Sequence, residues 1–115
     1  MTHPAPPPGD HITISVGATS TSWDATIDLE RAVLIKSSPG EEPSERPIAA
    51  DDLKRLREEA EQAIAQGDYS VSHQFADGCV LFTLVLGERR ATLRYETWGG
   101  GDYARVGQIW SYIRR

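Results

Sequence analysis

The apolar run from Val80 to Leu86 constrains the fold more than any other part of the chain, since only Thr83 interrupts it. A short apolar run between turn residues is typical of a buried strand, because a helix needs a longer segment. The residues from Ala91 to Tyr95 then alternate between apolar and polar, which indicates a second strand. Helical spacing follows at Val106, Ile109, Trp110 and Ile113. The C-terminal region therefore predicts two strands and a helix, an α+β arrangement.

The length and charge of the chain limit its functions. A chain of 115 residues, 39% apolar and 25% charged, fits one globular domain with one core. The net charge of −5 argues against nucleic acid as a partner, because duplex binding depends on Lys and Arg that neutralise phosphates. An acidic protein suits a basic partner instead.

No part of the sequence indicates a membrane or an oxidising compartment. It has no apolar stretch of about twenty residues and no signal peptide, so we expect a cytoplasmic protein without a membrane partner. The single Cys79 lies in a predicted strand, where a small buried thiol is expected rather than a reactive one.

The prolines divide the chain, because all seven fall in two segments. Residues 1–10 are predicted to be a disordered Pro-rich tail, or alternatively a ligand for a proline-binding module. Residues 11–115 form the predicted single α+β domain. Within it, residues 36–49 are polar and acidic and are predicted to be a mobile loop, long enough to be functional.

Two strands are predicted before this loop. Alternating apolar residues from Ile12 to Val16 and from Trp23 to Leu29 indicate a hairpin with one wet face. The alternation changes phase near Glu30 to Ala32, which a bulge or burial of both faces would explain.

After the loop, a helix is predicted to begin at Asp51-Asp52 and to end at Gly67, where a left-handed residue suits a C-cap. Its apolar stripe consists of Leu53, Leu56, Ala60, Ala63 and Ile64.

The second half predicts two more hairpin turns. Asp77-Gly78 is a strong hairpin signal and would set Val71 opposite Leu84. A turn at Glu88-Arg89 would set Leu84 beside Leu93. The predicted fold is therefore a mainly antiparallel five-stranded sheet with two helices on one face, in the order β-β-α-β-β-β-α.

The other face of this sheet is predicted to be mixed, with an apolar centre and a polar rim, as in protein interfaces. Its members would be Ser70, Ser72, Gln74, Cys79, Leu81, Thr83, Val85, Thr92, Arg94 and Glu96. The alternative is that the first hairpin or its loop covers part of this face.

No enzyme motif is complete in this sequence. Gly99 to Ala104 formally fits a G-x-G-x-x-A fingerprint, but the further strand that the motif requires is lacking. The histidines show no metal-binding spacing, and His73 is predicted to be structural. We therefore expect no catalytic residue, no metal and no cofactor. The alternative is a small-ligand site or minor enzyme with a pocket near His73, Tyr95 and Trp110.

The layout resembles a known family. A first hairpin, a helix beginning at Asp51-Asp52-Leu53, a hairpin from Tyr69 to Leu86 and a closing helix with Ile109-Trp110 are similar to emfourin-like bacterial inhibitors of metallopeptidases. The family's glycine-rich first hairpin is reduced here to Gly17. This resemblance implies a small cytoplasmic protein that blocks a protease with surface loops. Small acidic immunity proteins of bacterial toxins share the layout.

The predicted function is stoichiometric binding of a partner enzyme, a protease or toxin with a basic surface. Glu41, Glu42 and Glu45 would steer the partner, and Trp23 and Trp98 are candidate anchors, with a core position as the alternative for each tryptophan. The open sheet face would bind through Leu81, Val85, Arg94 and Glu96. A homo-oligomeric scaffold that uses this face is a further alternative, and the oligomeric state stays open.

Overall fold

The computed structural model of the protein describes residues 9–18, 22–72, 78–97 and 103–115. Within these residues there are two helices and seven strands, with a short 3-10 helix before the second helix. The strands are β1 (His11–Ala18), β2 (Ser22–Asp28), β3 (Val33–Ser37), β4 (Ser44–Pro47), β5 (Tyr69–Ser72), β6 (Gly78–Leu86) and β7 (Arg89–Thr97). The helices are α1 (Ala50–Gln66) and α2 (Gly107–Ile113), and the 3-10 helix is Ala104–Val106.

All seven strands belong to one sheet, in the order β4-β3-β2-β1-β6-β7-β5. Neighbours are antiparallel, except that β5 runs parallel to β7. The predicted α+β class and the two helices are confirmed. The predicted five-stranded antiparallel sheet is wrong, because the sheet is mixed and has two more strands.

The first additional strand arises from a turn where the sequence predicted a bulge. Asp28 accepts hydrogen bonds from the backbone N–H groups of Glu30 and Arg31, at 3.1 and 3.0 Å. Ala32 then takes a positive φ of 56°. An aspartate that binds its own backbone favours a turn, so the change of phase marks a reversal into β3. The second additional strand, β4, lies inside the segment predicted as a loop and pairs with β3.

The predicted hairpin of Tyr69 to Phe75 with β6 is also wrong. β6 already pairs with β1 along one edge and with β7 along the other. No edge of β6 is left for β5, which pairs instead with the outer edge of β7, Val71 facing Tyr95. The Asp77 turn residue lies outside the described residues.

The turn between β6 and β7 is shifted by one residue from its predicted position. Leu86 faces Arg89, so Gly87 and Glu88 form the turn, and Gly87 supplies the positive φ of 63° that hairpin turns require. Phe82 therefore faces Leu93 rather than Tyr95. The shift in register is two residues, which leaves every side chain on its predicted face.

Both helices cover one face of the sheet, and the predicted stripe of α1 is confirmed. Leu56, Ala60 and Ala63 are buried, and the helix ends at Gly67 with a φ of 89°. α2 is held by Glu59, whose two carboxylate oxygens accept the N–H groups of Gln108 at 3.1 Å and Ile109 at 2.9 Å. The core between sheet and helices is continuous.

Asp10, placed in the predicted tail, connects three parts of the fold. Its carboxylate accepts a hydrogen bond from Arg57 Nη1 of α1 at 2.7 Å and one from the N–H of Gly87 at 2.8 Å. Its backbone carbonyl accepts the N–H of Leu29 at 3.0 Å. The Arg57 hydrogen bond, followed by that of Gly87, lowers the pKa of Asp10.

We expect Asp10→Asn to reduce the free energy of unfolding by about 1 kcal/mol at neutral pH, because the pair is partly screened by solvent. The melting temperature would fall by about 4 °C. Since folding lowers the pKa of Asp10, its stabilisation is complete above the unfolded pKa of about 3.9 and is lost as pH falls through the folded value. The melting temperatures of the wild type and Asp10→Asn should therefore converge as pH falls. Thermal unfolding of both proteins between neutral and acidic pH measures this. Glu61→Gln is the control, because Glu61 lies on the exposed side of α1. An equal loss of stability in that variant would contradict the role of Asp10.

Candidate functional site

The face of the sheet opposite the helices, here called the open face, is a surface that α1 and α2 leave uncovered. Neither α1 nor α2 lies over it, since both contribute to the core on the other side. The face residues predicted from β6 and β7 are confirmed in their positions. Leu81, Val85 and Glu96 are half-buried, and Arg94 is exposed.

The two strands of the first hairpin do not cover this face. β1 pairs edge to edge with β6, with Ser15 opposite Leu81 and Thr13 opposite Thr83. The hairpin therefore extends the sheet sideways, and the open face continues across β2 and β3. Sequence analysis did not predict this, since nothing in the local pattern specifies which strand pairs with β6.

A row of four threonines crosses the open face. Thr26, Thr13, Thr83 and Thr92 are register partners on β2, β1, β6 and β7. The strands lie about 4.8 Å apart, so the row spans roughly 14 Å. These short side chains present both methyl groups and hydroxyl groups. The centre of the face is therefore low in profile, and a second surface can approach it closely.

A second row, beside the threonines, is amphipathic. Asp24, Ser15, Leu81 and Arg94 follow one another across the same four strands. It places an acidic group at one side of the face, an apolar group near the middle and a basic group at the other side. This arrangement can orient a partner as well as bind it.

Arg94 and Glu96 form an ordered polar group at the β7 side of the open face. Arg94 Nε donates to Glu96 Oε1 at 2.7 Å, and Ser72 of β5 donates to Glu96 Oε2 at 2.9 Å. The hydrogen bond from Arg94, and then that from Ser72, lower the pKa of Glu96. The lowered pKa keeps Glu96 ionised at neutral pH, where it can pair with Arg94.

The predicted acidic residues lie at the opposite edge of the sheet. Glu41 and Glu42 are exposed between β3 and β4, and Glu45 is exposed on β4 itself. Glu45 lies 3.4 Å from Arg31, and more than half of each side chain is exposed. The structure therefore separates these acids from Arg94 and Glu96 by the width of the sheet.

Trp23 lies on the covered face, away from the open face. Its ring stacks on Trp110 of α2 with a centroid distance of 6.1 Å and an interplanar angle of 19°. Lys36 lies on the neighbouring strand β3, and its Nζ is 5.3 Å from the centroid of the Trp23 ring. Trp23 is half-buried and packs against the core. Trp98, the other proposed anchor, lies outside the described residues, as does His73.

The space beside Tyr95, where a pocket was a predicted alternative, is occupied by aromatic rings. The Tyr95 ring lies 4.8 Å from that of Tyr103 and 5.9 Å from that of Phe82. Tyr103 also lies 4.9 Å from Trp110. These residues pack into one cluster between the sheet and α2.

A shallow cleft of about 560 Å³ lies instead between α1 and α2. Asp52 pairs there with Arg55 and lies 3.9 Å from Arg115, while Glu59 caps α2. The charged groups of the cleft are thus already engaged within the chain. It is lined by Asp52, Arg55, Leu56, Glu59, Ala104, Gly107, Gln108, Ser111, Tyr112 and Arg115.

The described residues offer neither a metal site nor a membrane-spanning helix. They contain no group of three His, Cys, Asp or Glu side chains able to hold a metal ion. Neither of their helices is long and apolar enough to cross a bilayer. Cys79 is a free, half-buried thiol on the open face.

No protein-family model matches the sequence, and no curated protein matches it significantly. A functional assignment therefore depends on the surfaces described above.

We expect Trp23→Ala to reduce the free energy of unfolding by about 2 kcal/mol, because it removes buried ring area and the stack on Trp110. The melting temperature would fall by about 8 °C. Trp23→Phe, which keeps an aromatic ring on Trp110, should recover more than half of this loss. Thermal unfolding measures both variants. If Trp23→Ala and the wild type have the same melting temperature, the ring contributes nothing to the core and is available as an anchor.

Proposed function

We propose that this protein is a cytoplasmic protein-binding module that occludes a partner enzyme, as a stoichiometric inhibitor or immunity protein does. The observation that carries the proposal is the open face, which combines half-buried apolar side chains with ordered polar groups. Interfaces between proteins have this anatomy, an apolar centre within a polar rim. A protease or toxin with a basic surface is the proposed class of partner.

The open face supports this function by its shape and order. Leu81 and Val85 supply apolar contact area near the middle, and the threonine row runs between them across the face. Arg94 and Glu96 are already held by each other and by Ser72. A partner would therefore meet polar groups that already hold hydrogen bonds within the chain.

The acidic edge supports the proposed partner chemistry. Glu41, Glu42 and Glu45 are all exposed and lie close in sequence. Exposed charges of one sign speed the encounter with a partner of opposite sign more than they stabilise the complex. We therefore assign the edge to steering and the open face to contact.

The resemblance to emfourin-like inhibitors is part of the same proposal. It rests on the order of elements that the sequence indicates. A member of that family would have to share the strand pairing observed here, in which β5 lies beside β7. A bacterial context follows only from this resemblance.

A small-ligand site is a second candidate, favoured by the cleft between α1 and α2. Its volume suits a small molecule. However, Asp52 and Glu59 are engaged by groups of the chain itself. A ligand would have to compete with these contacts, so we place protein binding first.

We expect Leu81→Asp to abolish capture of the partner while the protein stays folded, because it places a charge at the centre of the contact surface. The bait proteins are the wild type, Leu81→Asp and Ser111→Asp, which places the same charge in the cleft. Quantitative mass spectrometry of proteins captured from the source lysate would show one partner retained by Ser111→Asp and lost with Leu81→Asp.

The captured enzyme is then titrated with the wild-type protein. Inhibition should be complete at one equivalent, as expected of occlusion. Loss of the partner with Ser111→Asp but not with Leu81→Asp would move the site to the cleft. A captured enzyme whose activity is unchanged at saturation would refute the inhibitor role.

Replacing Glu41, Glu42 and Glu45 together by Gln should slow association by about tenfold at low salt and leave dissociation unchanged. Stability should change by less than about 1 kcal/mol, because the pair of Glu45 with Arg31 is exposed. Surface plasmon resonance with the captured enzyme at two ionic strengths measures both rates. Rising salt should slow the wild type towards the variant. Equal association rates at low salt would show that the edge has no steering role.

A further inference from the structure

The two edges of the sheet differ in chemistry. β4, at one edge, consists of Ser44, Glu45, Arg46 and Pro47. Charged side chains and proline are the features by which proteins prevent an edge strand from pairing with another chain. β5, at the other edge, consists of Tyr-Ser-Val-Ser and has neither. In the described part of the chain, no strand pairs with its outer side.

The hydrogen bond of Thr92 shows which backbone groups of β7 point towards β5. The N–H of Thr92 donates to the carboxylate of Asp68, immediately before β5, at 2.9 Å. Backbone directions alternate along a strand, so Arg94, two residues later, also directs its N–H and C=O to the β5 side. Arg94 is the register partner of Ser70.

This direction determines which groups of β5 face outwards. In a parallel ladder a residue bonds to the two neighbours of its register partner, so Arg94 engages the backbone of Tyr69 and Val71. The N–H and C=O groups of Ser70 and Ser72 therefore point away from β7, along the free edge. A strand placed there would find two donors and two acceptors in line.

From this edge we infer that β5 pairs antiparallel with β5 of a second copy of the chain, across a two-fold axis. Ser70 then faces Ser72 of the second copy, and Ser72 faces Ser70 of the second copy. Each pair exchanges about two backbone hydrogen bonds, which gives about four in total. Val71 faces Val71 of the second copy. This pair is of the non-hydrogen-bonded type, in which the side chains approach most closely.

A second copy is the occupant that the chemistry of β5 favours. The strand carries no charge, so two copies meet without repulsion, and the two-fold matches serine with serine and valine with valine. Since β4 is protected, each chain offers one edge. Pairing therefore closes at a dimer and does not propagate into a fibre.

The dimer leaves the open face free. The two-fold axis is perpendicular to the sheet, so both open faces lie on the same side of one continuous sheet. The inference is independent of the proposed function, but it gives a protein that presents two copies of its contact surface side by side.

Sedimentation velocity of the full chain tests this inference. Across about 1 to 500 µM, the range expected for a small interface, the weight-average mass should rise from 12.7 kDa towards twice that value. Ser70→Pro removes an outward N–H without removing a bond to β7, and should weaken the dimer at least about tenfold. Ser70→Thr keeps the N–H and should dimerise as the wild type does.

A cross-link provides a second test that does not depend on proline being tolerated. In a Cys79→Ser background, Val71→Cys should form a disulfide-linked dimer on mild oxidation, because the two Cα atoms would lie about 4.5 Å apart. Ser44→Cys on the protected edge is the matched control and should stay monomeric.

A wild type that stays at the monomer mass at every concentration would overturn the inference. So would a dimer that Ser70→Pro, folded as judged by circular dichroism, leaves intact, or Ser44→Cys cross-linking as readily as Val71→Cys. In contrast, Leu81→Asp should leave the dimer unchanged. Failure of the open-face proposal and failure of the β5 pairing are therefore distinguishable.

Discussion

The pairing of β1 with β6 is the contact on which the rest of the structure depends. It joins the meander of β1 to β4 to the C-terminal strands, with Ile12 facing Leu84 and Ile14 facing Phe82, all four fully buried. The two segments are far apart in the chain, so closing the loop costs entropy that local contacts do not offset. Burial of these apolar side chains beneath the helices supplies the opposing free energy.

This pairing also creates the open face. Since side chains alternate along a strand, placing the isoleucines of β1 in the core places Thr13 and Ser15 beside Thr83 and Leu81 on the other side. A surface of four aligned strands results, with the helices on its far side. The proposed contact surface is therefore a consequence of the same register that builds the core.

Two carboxylates connect the helices, one to the sheet and one to each other. Asp10 connects the start of β1 to α1 and to the β6–β7 turn, and Glu59 of α1 accepts the first N–H groups of α2. The sequence pattern places Asp10 in a tail and leaves Glu59 outside the apolar stripe of α1. Their roles depend on partners far along the chain, which local pattern cannot indicate.

The sequence by itself determined the class of fold, the stripe of α1 and the faces of the residues in β1, β2, β5, β6 and β7, because these follow from local periodicity, which a register shift of two residues does not alter. Only the tertiary structure decided which strands pair. The Asp77-Gly78 signal predicted a hairpin, but β6 had both edges engaged by β1 and β7, so β5 moved to the outer edge of the sheet. Competition for strand edges is a property of the whole sheet, and neither the free edge of β5 nor the width of the open face exists until that competition is resolved.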